Sequence, residues 1–336
     1  MRSIWRIIVI AIVCGFALSV FGIAMGASRE LYLDKKGLHI DNADEITISE
    51  PNLEKFTGIE IDTRFIDVEF ITSGSYGIKA AGHGVEWDWG IKDGTLSVAS
   101  RRINSIRIFS LNFSDGKQDY LQVFIPKGAE FDTVSIKTAS GDVKLGSFSS
   151  LSTTIISSFG DVALSDATCD QLQVDISSGN FKAASLDARN FGYSSRFGDS
   201  SFDGVSADRL TANSDSGNIK FSNCIFGDIY AKNAFGDITG SGVATSKADM
   251  HSKSGNISLI GDFAGQSVFS SKFGDISLKT LKPKEECSYD ISASFGGIKL
   301  DGVAMSENQR LTNEAPSGNN LKITASSGDI SVEFAR

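Results

Sequence analysis

The sequence predicts an all-β protein: a single-stranded parallel β-solenoid (β-helix) with 19-residue coils, preceded by one N-terminal transmembrane helix. Three observations carry that prediction. A glycine that follows Ser or Phe and precedes Asp or Asn recurs at Gly141, Gly160, Gly179, Gly198, Gly217, Gly236, Gly255 and Gly274, with every interval nineteen residues. Around each glycine, apolar and polar residues alternate with the period of two that a half-buried strand requires. The composition, 34 Gly and 23 Phe but only 4 Pro in 336 residues at 41% hydrophobic, suits turns and strands with enough apolar side chain to close a core.

The chain reads in order as follows. Residues 1–6 form a cytoplasmic tip carrying Arg2 and Arg6. The uncharged stretch 7–27, IIVIAIVCGFALSVFGIAMGA, would span ~31 Å as a helix, the thickness of a bilayer core. Arginines ahead of such a segment hold it with its start in the cytoplasm, so the body is expected outside the cell membrane as a single-pass protein. A cleaved signal is the competing reading, with Ala24-Met25-Gly26 as a small-x-small site, and would make the body secreted. Lipidation at Cys14 is weaker, because Val13 is not the small residue such a site wants. Residues 28–45 read as a linker, 46–130 as divergent β coils and 131–336 as the regular solenoid. An upstream copy without its glycine stands at Phe65-Ile66-Asp67, and later copies with insertions are centred on Gly296 and Gly328.

Within each copy the inward positions follow the glycine by two (Val143, Val162, Phe181, Ser200, Ile219, Ile238), by four (Leu145, Leu164, Ala183, Phe202, Phe221) and by seven (Phe148, Ala167, Leu186, Val205, Cys224). Two more precede the turn, as in Ile155 with Ser157 and Tyr193 with Ser195. The glycine itself suits a turn with φ > 0. One unit has too few inward side chains to fold alone, so stacking at ~4.8 Å per coil is the economical solution. An antiparallel meander or β-prism is the runner-up, and would not need so rigid a period. On the solenoid, Cys169 and Cys224 stand nearly three coils or ~14 Å apart, too far for a disulfide, so free thiols are expected.

The copies alternate in type. Phe159, Phe197, Phe235 and Phe273 precede the glycine in one set, with Asp161, Asp199, Asp237 and Asp275 after it; Ser140, Ser178, Ser216 and Ser254 precede it in the other, with Asn180, Asn218 and Asn256 in the later members. Lys144, Lys182 and Lys220 follow close by. Stacking of bulky corners on small ones explains the pattern. A Ca²⁺ ladder is the sharper reading, but Asp alternates with Asn and Lys stands beside the column, so neither a cofactor nor a metal site is assigned.

Catalytic readings are weak. The acids repeat once per coil instead of converging, and no GxSxG, Cys/His, HExxH or P-loop pattern occurs. His39, His83 and His251 read as scattered surface residues, and Trp87 with Trp89 as strand packing or a sugar-stacking pair. The net charge is −9 overall and −12 beyond the three arginines of residues 1–29, which excludes nucleic acid as a natural partner.

The segment FIPKGAEFDTVSIKTASGDVKLGSF with the serial SSFGDVAL, SSGNFKA, SKFGDISL and SSGDISVEF resembles the bacterial "putative adhesin" β-strand-repeat family, over residues 46–336. The resemblance implies an exported or membrane-tethered solenoid without established catalytic residues, in some members tied to envelope-stress systems. The expected function is therefore that of a noncatalytic, adhesin-like or cell-envelope binding protein, with envelope polysaccharide or a surface protein as partner. A scaffold that polymerises end to end through an uncapped last strand, DISVEFAR, and a polysaccharide-active enzyme are the alternatives.

Overall fold

The nineteen-residue spacing reappears as strand register. In the computed structural model, which describes residues 15, 30–34, 37–41, 45–102, 106–110, 119–305 and 310–335, Val162 lies beside Phe181, Ile176 beside Ser195 and Phe197 beside Ser216 in parallel pairs. In the coil that begins at Phe181, seven side chains point inward and are buried: Phe181, Ala183, Leu186, Ala188, Phe191, Tyr193 and Ser195. Lys182, Asp187 and Arg189 point out. Two inward positions, nine and twelve residues after the glycine, add Cys169, Ala188, Ala207 and Phe226, then Leu172, Phe191, Leu210 and Ile229, to those read from sequence. Aromatic rings pack within and between coils: Phe181 stacks on Tyr193 of its own coil at 4.8 Å and meets Phe202 of the next edge-on at 5.5 Å, and Phe202 lies 5.1 Å from Phe221. Such pairs add about 0.5–1.5 kcal/mol each beyond the area they bury.

The coils from Gly141 to Gly236 each bend at two left-handed positions. The first is the glycine column, where φ is +124° at Gly160 and Gly198. A Cβ at Gly198 would run into the carbonyl oxygen of Gly179 in the coil below, and the same collision repeats at every level. Glycine is therefore required by the approach of one backbone to the next as well as by φ. The second bend falls six residues later, at Ser147, Asp166, Ser185, Gly204, Asn223 and Gly242, with φ between 50° and 67°. Gly, Asn and Asp tolerate the left-handed region, and Ser147 and Ser185 are held in it with them.

The fold class needs correction in two respects. Among the described residues no helix is long and apolar enough to cross a membrane; the stretch 7–27, apart from Gly15, lies outside them. Nor is the sheet a single file of parallel strands. It is a closed, solenoid-like all-β core in which chain order and stacking order part company at both ends, and which antiparallel strands complete. At the N-terminal end Gly58–Phe65 lies between Thr95–Arg102 and Ala129–Ser140. At the C-terminal end Ile330–Ala335 lies between Ile276–Pro283 and Ile298–Leu300. The physical reason is edge protection: an open coil end exposes unpaired N–H and C=O groups. Here the end coils are covered instead, by Gly77–His83 and Val85–Lys92 on one side and by Arg310–Asn313 and Val303–Ala304 on the other, all antiparallel. The last strand, expected to be uncapped, is thus interior. Residues 30–41 add two strands, Glu30–Asp34 and Gly37–Asp41, in a small antiparallel sheet with Ile106–Ser110.

Candidate functional site

The glycine turns stack into one edge of the molecule, in the order Ile66, Gly141, Gly160, Gly179, Gly198, Gly217, Gly236, Gly255, Gly274, Gly328, Gly296. The residue after each turn position forms a ladder of side-chain-to-backbone hydrogen bonds. The N–H of Asn180 donates to Asp161 Oδ1 at 2.7 Å, that of Asp199 to Asn180 Oδ1 at 3.0 Å, and that of Asn218 to Asp199 Oδ1 at 2.7 Å. The chain of bonds starts at Asp67, which accepts from Asp142, and runs through Asp275, Asp329 and the N–H of Gly297. Asp and Asn are needed because each supplies one oxygen to an N–H that the bend has left without a ladder partner. Burial pushes the Asp67 carboxyl above its ordinary range, against the bond from Asp142. Lys182 and Lys220 line a depression of about 480 Å³ with Asp199 and Asp237, so the column already has cations beside it. Among the described residues no group of three or more His, Cys, Asp or Glu could hold a metal ion.

Immediately before the glycine, large rings stand in solvent. Phe65, Phe159, Phe197, Phe235, Phe273 and Phe295 are 54–76% exposed. Read along the stack, the edge is Phe65, Ser140, Phe159, Ser178, Phe197, Ser216, Phe235, Ser254, Phe273, Ser327, Phe295, since Phe273 and Phe295 each pair with Ser327. In chain order Phe295 precedes Ser327, so the sequence alone breaks the alternation that the stacking restores.

A second feature lies on the strand face about five residues upstream. Thr154, Gln171, Gln173, Asn190, Gly192, Arg209 and Thr211, from four successive coils, line a shallow trough of about 390 Å³. Gly192 leaves room for the Gln173 side chain, whose Nε2 donates to Asp175 Oδ1 at 2.9 Å. Ion pairs stand near its border, Arg189 with Asp170 and Arg209 with Asp228, each at 3.7 Å. The trough is rich in amides and hydroxyls, groups that both donate and accept.

His251 is less isolated than its sequence suggests. Its Nε2 lies 2.6 Å from Asp249 Oδ1 and its Nδ1 2.5 Å from Ser270 Oγ. These are the residue types of a nucleophile relay, but the strand carrying Ser270 is paired on both sides, so its N–H groups are spent in the sheet and do not converge on an oxyanion. His83 bonds Asp119 at 2.8 Å. Trp87 and Trp89 pack against the core. Cys169, Cys224 and Cys287 are buried free thiols, and burial raises the pKa of all three.

Comparison with solved structures gives likenesses of low identity. A Bacteroides fragilis protein described as a "putative adhesin" is 16% identical, with 87% of this chain and 97% of that one covered at a TM-score of 0.38. A Parabacteroides distasonis protein with the same description is 16% identical, covering 70% and 98% at a TM-score of 0.48. Another from that organism, described as a "putative lipid binding protein", is 13% identical, covering 67% and 97% at 0.35. No curated protein matches the chain. The family model named Toastrack DUF4097 matches residues 56–223 and again 204–336, and the chain belongs to that family.

Proposed function

We propose that the protein is a noncatalytic, adhesin-like binding protein of the cell envelope, and that it holds an extended polysaccharide in the trough of Gln171, Gln173, Asn190 and Thr211. The trough is the observation that carries this reading: each of four coils, ~4.8 Å apart, contributes a neutral hydrogen-bonding side chain, Thr154, Gln173, Asn190 and Thr211, a spacing suited to a polymer lying along the stack. Its bordering carboxylates are engaged, Asp170 and Asp228 by arginines and Asp175 by Gln173, which supports binding over glycosidic chemistry. In this reading the body works in the cell envelope, on the outer side of the cytoplasmic membrane. End-to-end polymerisation fits less well, because antiparallel strands cover both coil ends.

The test is co-sedimentation of the full chain with isolated envelope polysaccharide, with Ca²⁺ and with EGTA. Saturable binding that survives EGTA is expected, and Gln173→Ala with Asn190→Ala should weaken it about tenfold, as two hydrogen bonds of ~0.5–1.5 kcal/mol imply. Binding to none of the envelope polysaccharides, or binding indifferent to both substitutions, would overturn the reading.

A further inference from the structure

The edge of phenylalanines is not explained by the trough. The rings are more than half exposed, they lie outside the buried core, and their alternation with serine holds in space where the chain order breaks it. Scattered exposed apolar residues are ordinary, but a regular row of this length marks an interface. Side chains of this size bury ~150–250 Å² each, so the five from Phe65 to Phe273, at 54–61% exposure, offer on the order of 600 Å². A standard interface takes about 800 Å² from each partner.

We propose that the occupant of this edge is a second copy of the chain, seated antiparallel about a two-fold axis that runs along the strand direction between the Gly198 and Gly217 coils. The pattern is self-complementary under that operation. Successive phenylalanines stand two coils or ~9.6 Å apart with a serine between them, so a one-coil shift sets each ring over the serine gap of the partner. The axis brings Phe197 opposite Ser216, Phe235 opposite Ser178 and Phe159 opposite Ser254. It also matches the neighbouring ladder: Asp199 meets Asn218, Asp237 meets Asn180 and Asp161 meets Asn256, so through the middle a carboxylate faces an amide. Only the outer levels, Asp142 with Asp275 and Asp67 with Asp329, pair like with like.

Charge selects this register from those that also put Phe on Ser. Arg196 and Asp215, each directly before the edge residue of its coil, have no side-chain partner among the described residues, and the axis sets each opposite the other across the interface. Moving the axis one coil toward Gly236 would set Arg196 opposite Lys253, whose Nζ lies 5.7 Å from the ring centroid of Phe235. An isologous pairing of this kind closes on itself and stops at two copies.

The decisive experiment is sedimentation velocity of the full chain. The unaltered chain should be dimeric, and Phe197→Ser with Phe235→Ser should raise the dissociation constant at least a hundredfold. Both rings are exposed, so the variant should keep its thermal unfolding profile and its polysaccharide co-sedimentation, which separates this test from that of the trough. The specific test is complementation in trans: Arg196→Asp chains and Asp215→Arg chains should each be monomeric, and an equimolar mixture should restore a mixed dimer. A monomeric unaltered chain, a dimer indifferent to the Phe substitutions, or a mixture that stays monomeric would overturn the proposal. So would a serine variant that keeps the dimer and loses the polysaccharide, which would assign the edge to the sugar.

Discussion

Between Gly141 and Gly274 each coil rests on the coil that precedes it in sequence, whereas at either end of the molecule the coils are stacked out of chain order. In the middle the ladder bond from Asp199 to Asn218 crosses 19 residues; at the ends the equivalent bonds cross 75, from Asp67 to Asp142, and 54, from Asp275 to Asp329. The difference teaches what a repeat does and does not determine. A nineteen-residue period makes any copy a fit for any other, because all present the same glycine, the same inward positions and the same Asp or Asn. Which copy sits next to which is then decided by closing the ends. The chain overshoots by one coil and returns, so that Gly58–Phe65 and Ile330–Ala335 are each paired on both sides and the exposed coils are those that antiparallel strands cover.

The largest test of that contrast is truncation. Removing residues 319–336 from a stack built in chain order would strip one terminal coil; here it withdraws an interior coil and unpairs both Ile276–Pro283 and Ile298–Leu300. Loss of cooperative unfolding from Gly274 onward is expected, seen as loss of amide protection in both segments. Next comes the glycine column. Gly198→Val places a branched side chain against the Gly179 carbonyl at φ +124°, and a loss of more than about 4 kcal/mol is expected in urea unfolding. Gly128→Ala, at φ +72° but in open space near the N-terminal end, should cost only about 1 kcal/mol.

Smaller effects sharpen the comparison. Asp199→Ala removes one rung of the ladder and should cost about 1 kcal/mol, while Asp199→Asn, which keeps the accepting oxygen, should be close to neutral; chemical unfolding of the two variants side by side measures it. The smallest effect concerns the C-terminal cap. Arg310 donates two hydrogen bonds of 2.7 Å to Asp290 and, by them first and by its charge, holds that carboxyl below the usual range. A depressed folded pKa means stability that is present above the ordinary Asp value of about 3.9 and is lost as pH falls through the folded value. Protection of Cys287–Phe295 should therefore decline in acid, and Arg310→Ala should lower that protection at neutral pH and flatten its acid decline without changing the middle coils.

Much of the middle was legible in the sequence. Period, parity and the glycine column need only nearest-neighbour spacing, and the inward positions at Val162, Leu164, Ala167, Val174 and Ile176 are buried. The two further inward positions, with Leu172, Phe191, Leu210 and Ile229, carried the same signal at the same period, as did the second bend in Ser147, Asp166, Ser185 and Asn223. The Asp and Asn alternation was visible, but its purpose was not, because the rung is a bond from one coil's backbone to the next coil's side chain. The stacking of Ser327 between Phe273 and Phe295 was not legible at all. Insertions around Pro283 and Pro316 hide the spacing, and identical copies offer no local preference for one neighbour over another. The trough was equally invisible, since Gln171, Asn190 and Arg209 differ in kind and are united only by position.

The alternation of the edge in space rests on that stacking order, and paired cysteines test it directly. Ser270 and Thr324 are register partners on adjacent strands, about 4.8 Å apart, within the span of a disulfide. Ser292 lies on the far side of Thr324, two strands or ~9.6 Å from Ser270, beyond that span. The chain with Ser270→Cys and Thr324→Cys should oxidise to an intramolecular disulfide, and the chain with Ser270→Cys and Ser292→Cys should not. The reverse result, a bridge from position 270 to position 292 and none to 324, would return the coils to chain order and dissolve the continuous edge.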